Sequence, residues 1–248
     1  MTIPDFARYR LFVEPALAEG HRLPLAREQA NYLISVLRMK QDDTVLLFNG
    51  RDGEWLAAIS VEGRKQASLT LVRQTKPQPA PPDLHYLFAP LKHARLDYIA
   101  QKAVEMGAGV IQPVLTRRTQ VSRLNLDRMR ANAIEAAEQC GILSLPDIRD
   151  EQGLEAALAA LEPDRLLVFC DEAMAQESPV KTLATARPGP LAVLIGPEGG
   201  FDDAERHLIM ARPNTLAISL GPRILRADTA AVAALALVQA VLGDWPRG

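Results

Sequence analysis

Cysteine and histidine are scarce in this chain: two cysteines (Cys140, Cys170) and four histidines (His21, His85, His93, His207) in 248 residues. None falls at the short spacings of zinc or iron sites, so no metal is expected. Two distant cysteines fit a reducing compartment. Long apolar runs are also missing. The longest, Ala230 to Leu242, is interrupted by Gln239 and falls short of the ~20 residues that cross a bilayer. Asp5, Arg8 and Arg10 break any early apolar run, so neither a signal peptide nor a membrane anchor is expected, and a cytoplasmic location is. Neither sign of charge dominates: a net −2 excludes a surface basic throughout, though not a local basic face. Finally, the chain carries no Gly-Lys-Ser/Thr phosphate loop and no Gly-x-Gly-x-x-Gly fingerprint, which speaks against a nucleotide hydrolase or a dinucleotide enzyme.

What is present is an ordinary globular composition, 48% hydrophobic and 23% charged. The segment Gln74 to Asp83 holds four prolines in ten residues and reads as an extended linker, over 75–83, between a small domain at 1–74 and a larger one at 84–248. Before it the pattern is mainly β. Thr44–Phe48 and Trp55–Val61 flank the turn sequence Asn49-Gly50-Arg51-Asp52-Gly53, Gly63-Arg64-Lys65 is a second turn, and Ala67–Val72 a third strand. One helix is expected over Ala26 to Arg38. After the linker, strands (Leu84–Ala89, Val110–Leu115, Leu166–Cys170, Leu191–Ile195, Thr215–Leu220) alternate with helices (Ala94 to Met106, Asn125 to Cys140). Such alternation implies a mostly parallel α/β sheet. The last helix, Asp228 to Leu242, is nearly all Ala, Val and Leu. It is either a core helix or one packed against ligand loops and a second subunit.

Two stretches stand out. Leu191 to Ile195 runs into Gly196-Pro197-Glu198-Gly199-Gly200-Phe201, and Leu220-Gly221-Pro222-Arg223-Ile224-Leu225-Arg226 follows the next strand. Loops at the carboxyl ends of strands hold ligands in open α/β sheets, and glycine lets backbone approach them closely. Ile224 and Leu225 beside exposed amides suit a flat heteroaromatic ring. Arg226 is either a ligand contact or a surface ion pair. Asp171 and Glu172 are either acid/base groups or a charge pair at a helix start. Lys92, Arg95, Lys102, Arg117, Arg118, Arg123, Arg128 and Arg130 face only Asp97, Glu105 and Asp127 in sequence, an excess that is either a phosphate-contacting face or a solvated one. Arg117-Arg118, after a strand, is the better RNA candidate; Arg8, Arg10 and Arg38 are further ones in the first domain.

With both loops in hand, the chain resembles the SPOUT class of RNA methyltransferases, and within it the family that methylates uridine N3 in 16S ribosomal RNA. The resemblance runs through Arg10-Leu11-Phe12, Val36-Leu37-Arg38-Met39, Gln101 to Gly107, Glu135 to Gly141 and the two loops. It implies a PUA-like β-barrel domain for RNA, a SPOUT-type parallel sheet with a C-terminal trefoil knot, S-adenosylmethionine as cofactor, and a homodimer acting on the small ribosomal subunit. Leu194, Gly196, Glu198, Gly199 and Gly200 from one loop would line the cofactor pocket. Leu220, Gly221, Ile224 and Leu225 would line it from the other. Arg226, or Arg10 of a second chain, would stabilise the uracil, with Glu198 as base or cofactor orienter. Other base or ribose 2′-O specificities, and a non-catalytic RNA-binding assembly factor, are the alternatives. Two departures stand out: Ile142 where the family usually has arginine, and Asp228-Thr229 where it has Glu-Thr.

Overall fold

A computed structural model describes residues 9–63, 66–92, 94–120, 123–172, 174 and 178–245. They form two compact units: residues 1–80 with 137–145, and residues 81–136 with 146–248.

The first unit is built on a five-stranded sheet in the order β1-β3-β4-β5-β2, with β1 (Arg10–Phe12), β2 (Arg22–Pro24), β3 (Thr44–Phe48), β4 (Glu54–Gly63) and β5 (Gln66–Lys76). β1 runs parallel to β3 and the other pairings are antiparallel. The turn between β3 and β4 has the expected chemistry. Gly50 and Gly53 take φ of 82° and 80°, and Asn49 Oδ1 accepts from the Arg51 and Asp52 amides. Leu33, Leu47, Ile59 and Leu69 are fully buried in its core, each contributing about 1.5–3 kcal/mol. β5 continues to Lys76, so the first residues of the proline-rich stretch are strand rather than linker. The turn at Gly63-Arg64-Lys65 falls partly outside the described residues, as does Arg8.

The single helix expected over Ala26 to Arg38 is instead a short α1 (Arg27–Asn31) running into a π-helical turn, Tyr32–Val36. The Leu37 amide reaches back five residues to Tyr32 O at 2.9 Å, and Arg38 ends the segment at φ 57°. β-branched Ile34 and Val36 are poor α formers, and the wider turn still buries Leu33 fully.

The second unit holds a sheet in the order β12-β10-β11-β6-β7-β8, with β9 also pairing β7. Its strands are β6 (Leu84–Phe88), β7 (Val110–Leu115), β8 (Asp147–Ile148), β9 (Gln152–Gly153), β10 (Leu166–Cys170), β11 (Leu191–Ile195) and β12 (Thr215–Ile218), and every pairing is parallel. β6 and β11 are buried at all five positions. Helices on both faces explain why these strands read as unbroken apolar runs. The helices are α2 (Ala94–Glu105), α3 (Leu126–Cys140), α4 (Leu154–Ala159), α5 (Pro179–Leu183), α6 (Asp203–Ala211) and α7 (Ala227–Val241). α3 starts in this unit, while its last residues, from Ala137, cluster with the first. There Gly141, at φ 68°, ends the helix, and the Ile142 amide donates to Ala137 O at 3.1 Å. This six-to-one closure is a Schellman cap. It uses only the backbone of Ile142, so isoleucine serves it as well as arginine.

Candidate functional site

The carboxyl ends of β10, β11 and β12 open onto one cleft of about 220 Å³, room for far more than a water molecule. Its first wall is the loop after β11. Gly196 is required by close approach: a Cβ there would lie 2.5 Å from the Phe201 ring. Gly200 has φ 68°, and a Cβ would meet Glu172 Oε1 at 2.5 Å. Phe201 packs against the core and makes an edge contact with Phe169, ring centroids 5.4 Å apart. Asp202 then caps α6: its Oδ1 accepts from the Glu205 amide at 2.8 Å, and Glu205 Oε2 accepts from the Asp202 amide at 3.1 Å. The Glu205 amide bond holds the Asp202 carboxyl below its ordinary pKa, aided by the Arg117 guanidinium.

The second wall is the loop after β12, where Leu220, Gly221, Ile224 and Leu225 line the cleft. Gly221 has φ 99°. At the floor lie Asp171, which is 7% exposed and accepts from Arg206 Nη2 at 2.7 Å, and the Cys170 thiol, pushed up to about 12 by burial. The carboxylates Asp171, Glu172 and Glu198 share this lining with Arg206 and Arg223. The cleft therefore offers apolar side chains, close-lying glycine backbone and net negative charge together.

Most expected cofactor contacts converge here: Gly196, Glu198, Gly200, Leu220, Gly221, Ile224 and Leu225 all line the cleft. Two do not. The side chain of Leu194 is fully buried in the core, because alternate residues of a two-faced buried strand all have packing partners. Gly199 faces a different cavity. Asp171 and Glu172, left open in sequence, line the cleft. Arg206 was missed, since an arginine on a helix carries no local sign that it ends beside a strand tip.

The expected catalytic arginines are elsewhere. Arg226 is exposed at the N-cap of α7 and lines neither cavity. Arg10 sits in the first unit, where its Nε donates to Glu54 Oε2 at 3.0 Å. Glu54 is 1% exposed. Burial raises its pKa, but hydrogen bonds from Arg10 and Thr75 and the charge of Lys76 outweigh that and leave it lowered. A Cβ on Gly141 would come within 3.1 Å of the Arg10 guanidinium carbon, so glycine there makes room for the pair.

The basic excess is largely compensated. Arg128 pairs with Asp97, Arg130 with Asp127, Lys102 with Glu105, Arg117 with Asp202 and Arg95 with Glu198. Arg118 Nη1 donates to Gly199 O at 2.6 Å, and Lys92 has no ion-pair partner among the described residues. Arg38 is exposed in the first unit. Lys92, Arg95 and Arg118 line a second cavity, of about 300 Å³, with Pro90, Leu91, Gln120, Pro197, Glu198 and Gly199. No cluster able to hold a metal ion, and no helix long and apolar enough to cross a membrane, occurs among the described residues.

Comparison with known proteins gives concordant matches. Residues 78–239 match the RNA methyltransferase domain family, and residues 25–72 the RNA methyltransferase PUA domain. The chain is 33% identical over 232 residues to ribosomal RNA small subunit methyltransferase E of Rickettsia conorii, covering 93% of this chain and 94% of that protein. It is 31% identical to the protein of the same name from Synechocystis, covering 94% and 78%. A solved ribosomal RNA small subunit methyltransferase E from Neisseria gonorrhoeae, bound to S-adenosyl methionine, is 26% identical with a TM-score of 0.84, covering 96% of this chain and 99% of that one.

Proposed function

The chain belongs to the ribosomal RNA small subunit methyltransferase E family of RNA methyltransferases, and on that premise we propose that it methylates N3 of a uridine in 16S ribosomal RNA, with S-adenosylmethionine as donor. The observation that carries this reading is the cleft at the ends of β10, β11 and β12. Its residues fit that cofactor. Glycine at 196 and 200 lets the loop fold tightly against Phe201 and Glu172 at the cleft wall, Leu220, Ile224 and Leu225 offer apolar surface to a flat ring, and Asp171, Glu172 and Glu198 offer carboxylates to a cationic ligand. The bound cofactor supplies an electrophilic methyl group.

The protein's task is then to place N3 in line with that methyl and to take up the N3 proton. Positioning alone supplies several kcal/mol, up to roughly 7–11 in well-oriented systems. We assign proton acceptance to the Glu198 carboxylate, which lines both cavities. N3 lies on the pairing edge, so the uridine must be presented unpaired. Arg226 is exposed and does not line the cleft of its own chain. We place it, with Arg38, Arg117 and Arg118, on the surface that meets RNA, in a cytoplasmic homodimer. Arg10 has its carboxylate partner within its own unit and is set aside as a catalytic group.

Labelled S-adenosylmethionine, offered with small ribosomal subunits that lack the native modification, tests the reading. Labelled 3-methyluridine on nucleoside analysis is the expected product. A 2′-O-methyl nucleoside or another methylated base would keep the methyltransferase and overturn the specificity. Absence of cofactor binding would favour an assembly factor without catalysis. Arg226→Ala is expected to bind cofactor normally, to raise KM for the small subunit and to lower the salt slope of RNA binding by about one; an unchanged KM and slope in that variant remove Arg226 from the RNA surface.

A further inference from the structure

The second cavity has a position as telling as its lining. The sheet order places β11 beside β6 and β7 beyond it. Pro197, Glu198 and Gly199 follow β11, Pro90 to Lys92 follow β6, and Arg118 and Gln120 follow β7. The chain winds outward from β6 to β7 and β8 on one side, and later fills β10, β11 and β12 on the other. The β6/β11 junction is therefore a topological switch point, where open parallel sheets leave a crevice for ligands. The cofactor cleft lies on one side of the β11 loop and this cavity on the other, with Pro197 and Glu198 common to both.

Its chemistry is divided. Pro90 and Leu91 are buried and give an apolar floor. Lys92, Arg95 and Arg118 bring three cations against one carboxylate, Glu198. Lys92 is unpaired among the described residues and exposed, Arg118 spends one guanidinium nitrogen on Gly199 O, and Arg95 is held by Glu198 with Asp228 Oδ2 at 3.9 Å from its Nε. The Arg95 and Glu198 side chains are 38% and 54% exposed. A pair that open to water contributes about 0–1 kcal/mol, so an incoming phosphate, which arginine binds through two parallel hydrogen bonds, displaces the carboxylate at little cost.

We propose that this cavity receives the target nucleotide of the RNA: its phosphate on Lys92, Arg95 and Arg118, its ring over Pro90 and Leu91. Arg95 exchanges Glu198 for the phosphate, which releases the Glu198 carboxylate at the wall shared with the cofactor cleft. The inference rests on the methyltransferase reading and adds the residues that hold the acceptor.

Uridine 5′-monophosphate titrated into the full-length protein, with inorganic phosphate in parallel, tests it through amide shifts of Leu91 and Gly199 and through a dissociation constant. The expected result is saturable binding of the nucleotide, weakened about tenfold in both Lys92→Ala and Arg95→Ala, on the scale of a lost charge-assisted contact. In the same variants KM for ribosomal RNA rises, the salt slope of RNA binding falls by about one, and cofactor affinity stays within about twofold. Lys92→Arg restores binding. Nucleotide affinity and RNA KM unchanged in both alanine variants overturn the proposal, and so does inorganic phosphate binding as tightly as the nucleotide. Nucleotide binding that depends on Lys92 in a protein unable to bind cofactor leaves this site standing and removes the methyltransferase reading instead.

Discussion

The two walls of the cofactor cleft are built by different means. The 196–201 wall is pinned: Phe201 sits on the core, Gly196 lies tight against its ring, Gly200 faces Glu172, and Arg118 ties down Gly199 O. The 219–226 wall is braced, among the described residues, by one hydrogen bond within it, Gly221 N–H to Ser219 Oγ at 3.3 Å, and Ile224 stands 95% exposed. A preset wall lowers the ordering cost of binding. An unpinned one leaves its apolar side chains open to an incoming ligand. The cleft thus joins a half fixed by its packing to a half with few bonds of its own.

The strongest way to break this contrast is Gly200→Ala. At φ 68° the added Cβ costs about 1–2 kcal/mol in backbone strain and meets the Glu172 carboxylate. Cofactor affinity measured by calorimetry is expected to fall at least about tenfold; an unchanged value would mean that the pinned wall does not set the pocket. Ile224→Ser addresses the other wall. Thermal stability should stay within about 0.5 kcal/mol, as for exposed sites in general, while cofactor affinity drops roughly threefold from lost apolar contact. A stability loss with unaltered affinity would reverse the two roles. The smallest effect is a labelling difference. With its pKa pushed up to about 12, Cys170 carries almost no thiolate at pH 8, whereas Cys140 is exposed. Because the raised value favours the thiol, reactivity of Cys170 should climb with pH toward 12. A maleimide at pH 8 should therefore label Cys140 well ahead of the half-buried Cys170. Equal labelling of both in the native protein would show the floor of the cleft to be open.

Much of the second unit was legible because its strands are buried on both faces: Leu191–Ile195 and Leu166–Cys170 occur where their apolar runs do. The glycine loops were legible for a related reason, since close approach and positive φ leave few other residues possible. The π-turn at Tyr32–Val36 was not, because a five-residue reach-back differs from an α-turn by one residue and leaves the apolar spacing almost unchanged. The second cavity was invisible for a different reason. Lys92, Arg118 and Gly199 follow three different strands, and the Arg95–Glu198 pair spans 103 positions; no local pattern announces a meeting set by strand order. The Arg10–Glu54 pair was hidden in the same way, since its two residues lie 44 positions apart.

The chain's route through its two compact units also has a consequence for biosynthesis. The first unit is not finished by residue 80: it takes back residues 137–145, whose Glu138 accepts the Phe12 amide at 2.8 Å. At translation rates of about 5–20 residues per second, the roughly 60 intervening residues take about 3–12 s to make. For that interval the nascent amino-terminal sheet lacks Glu138 at Phe12 and the cap glycine beside Arg10. The first unit is thus completed only after synthesis of the second has begun, although it opens the chain.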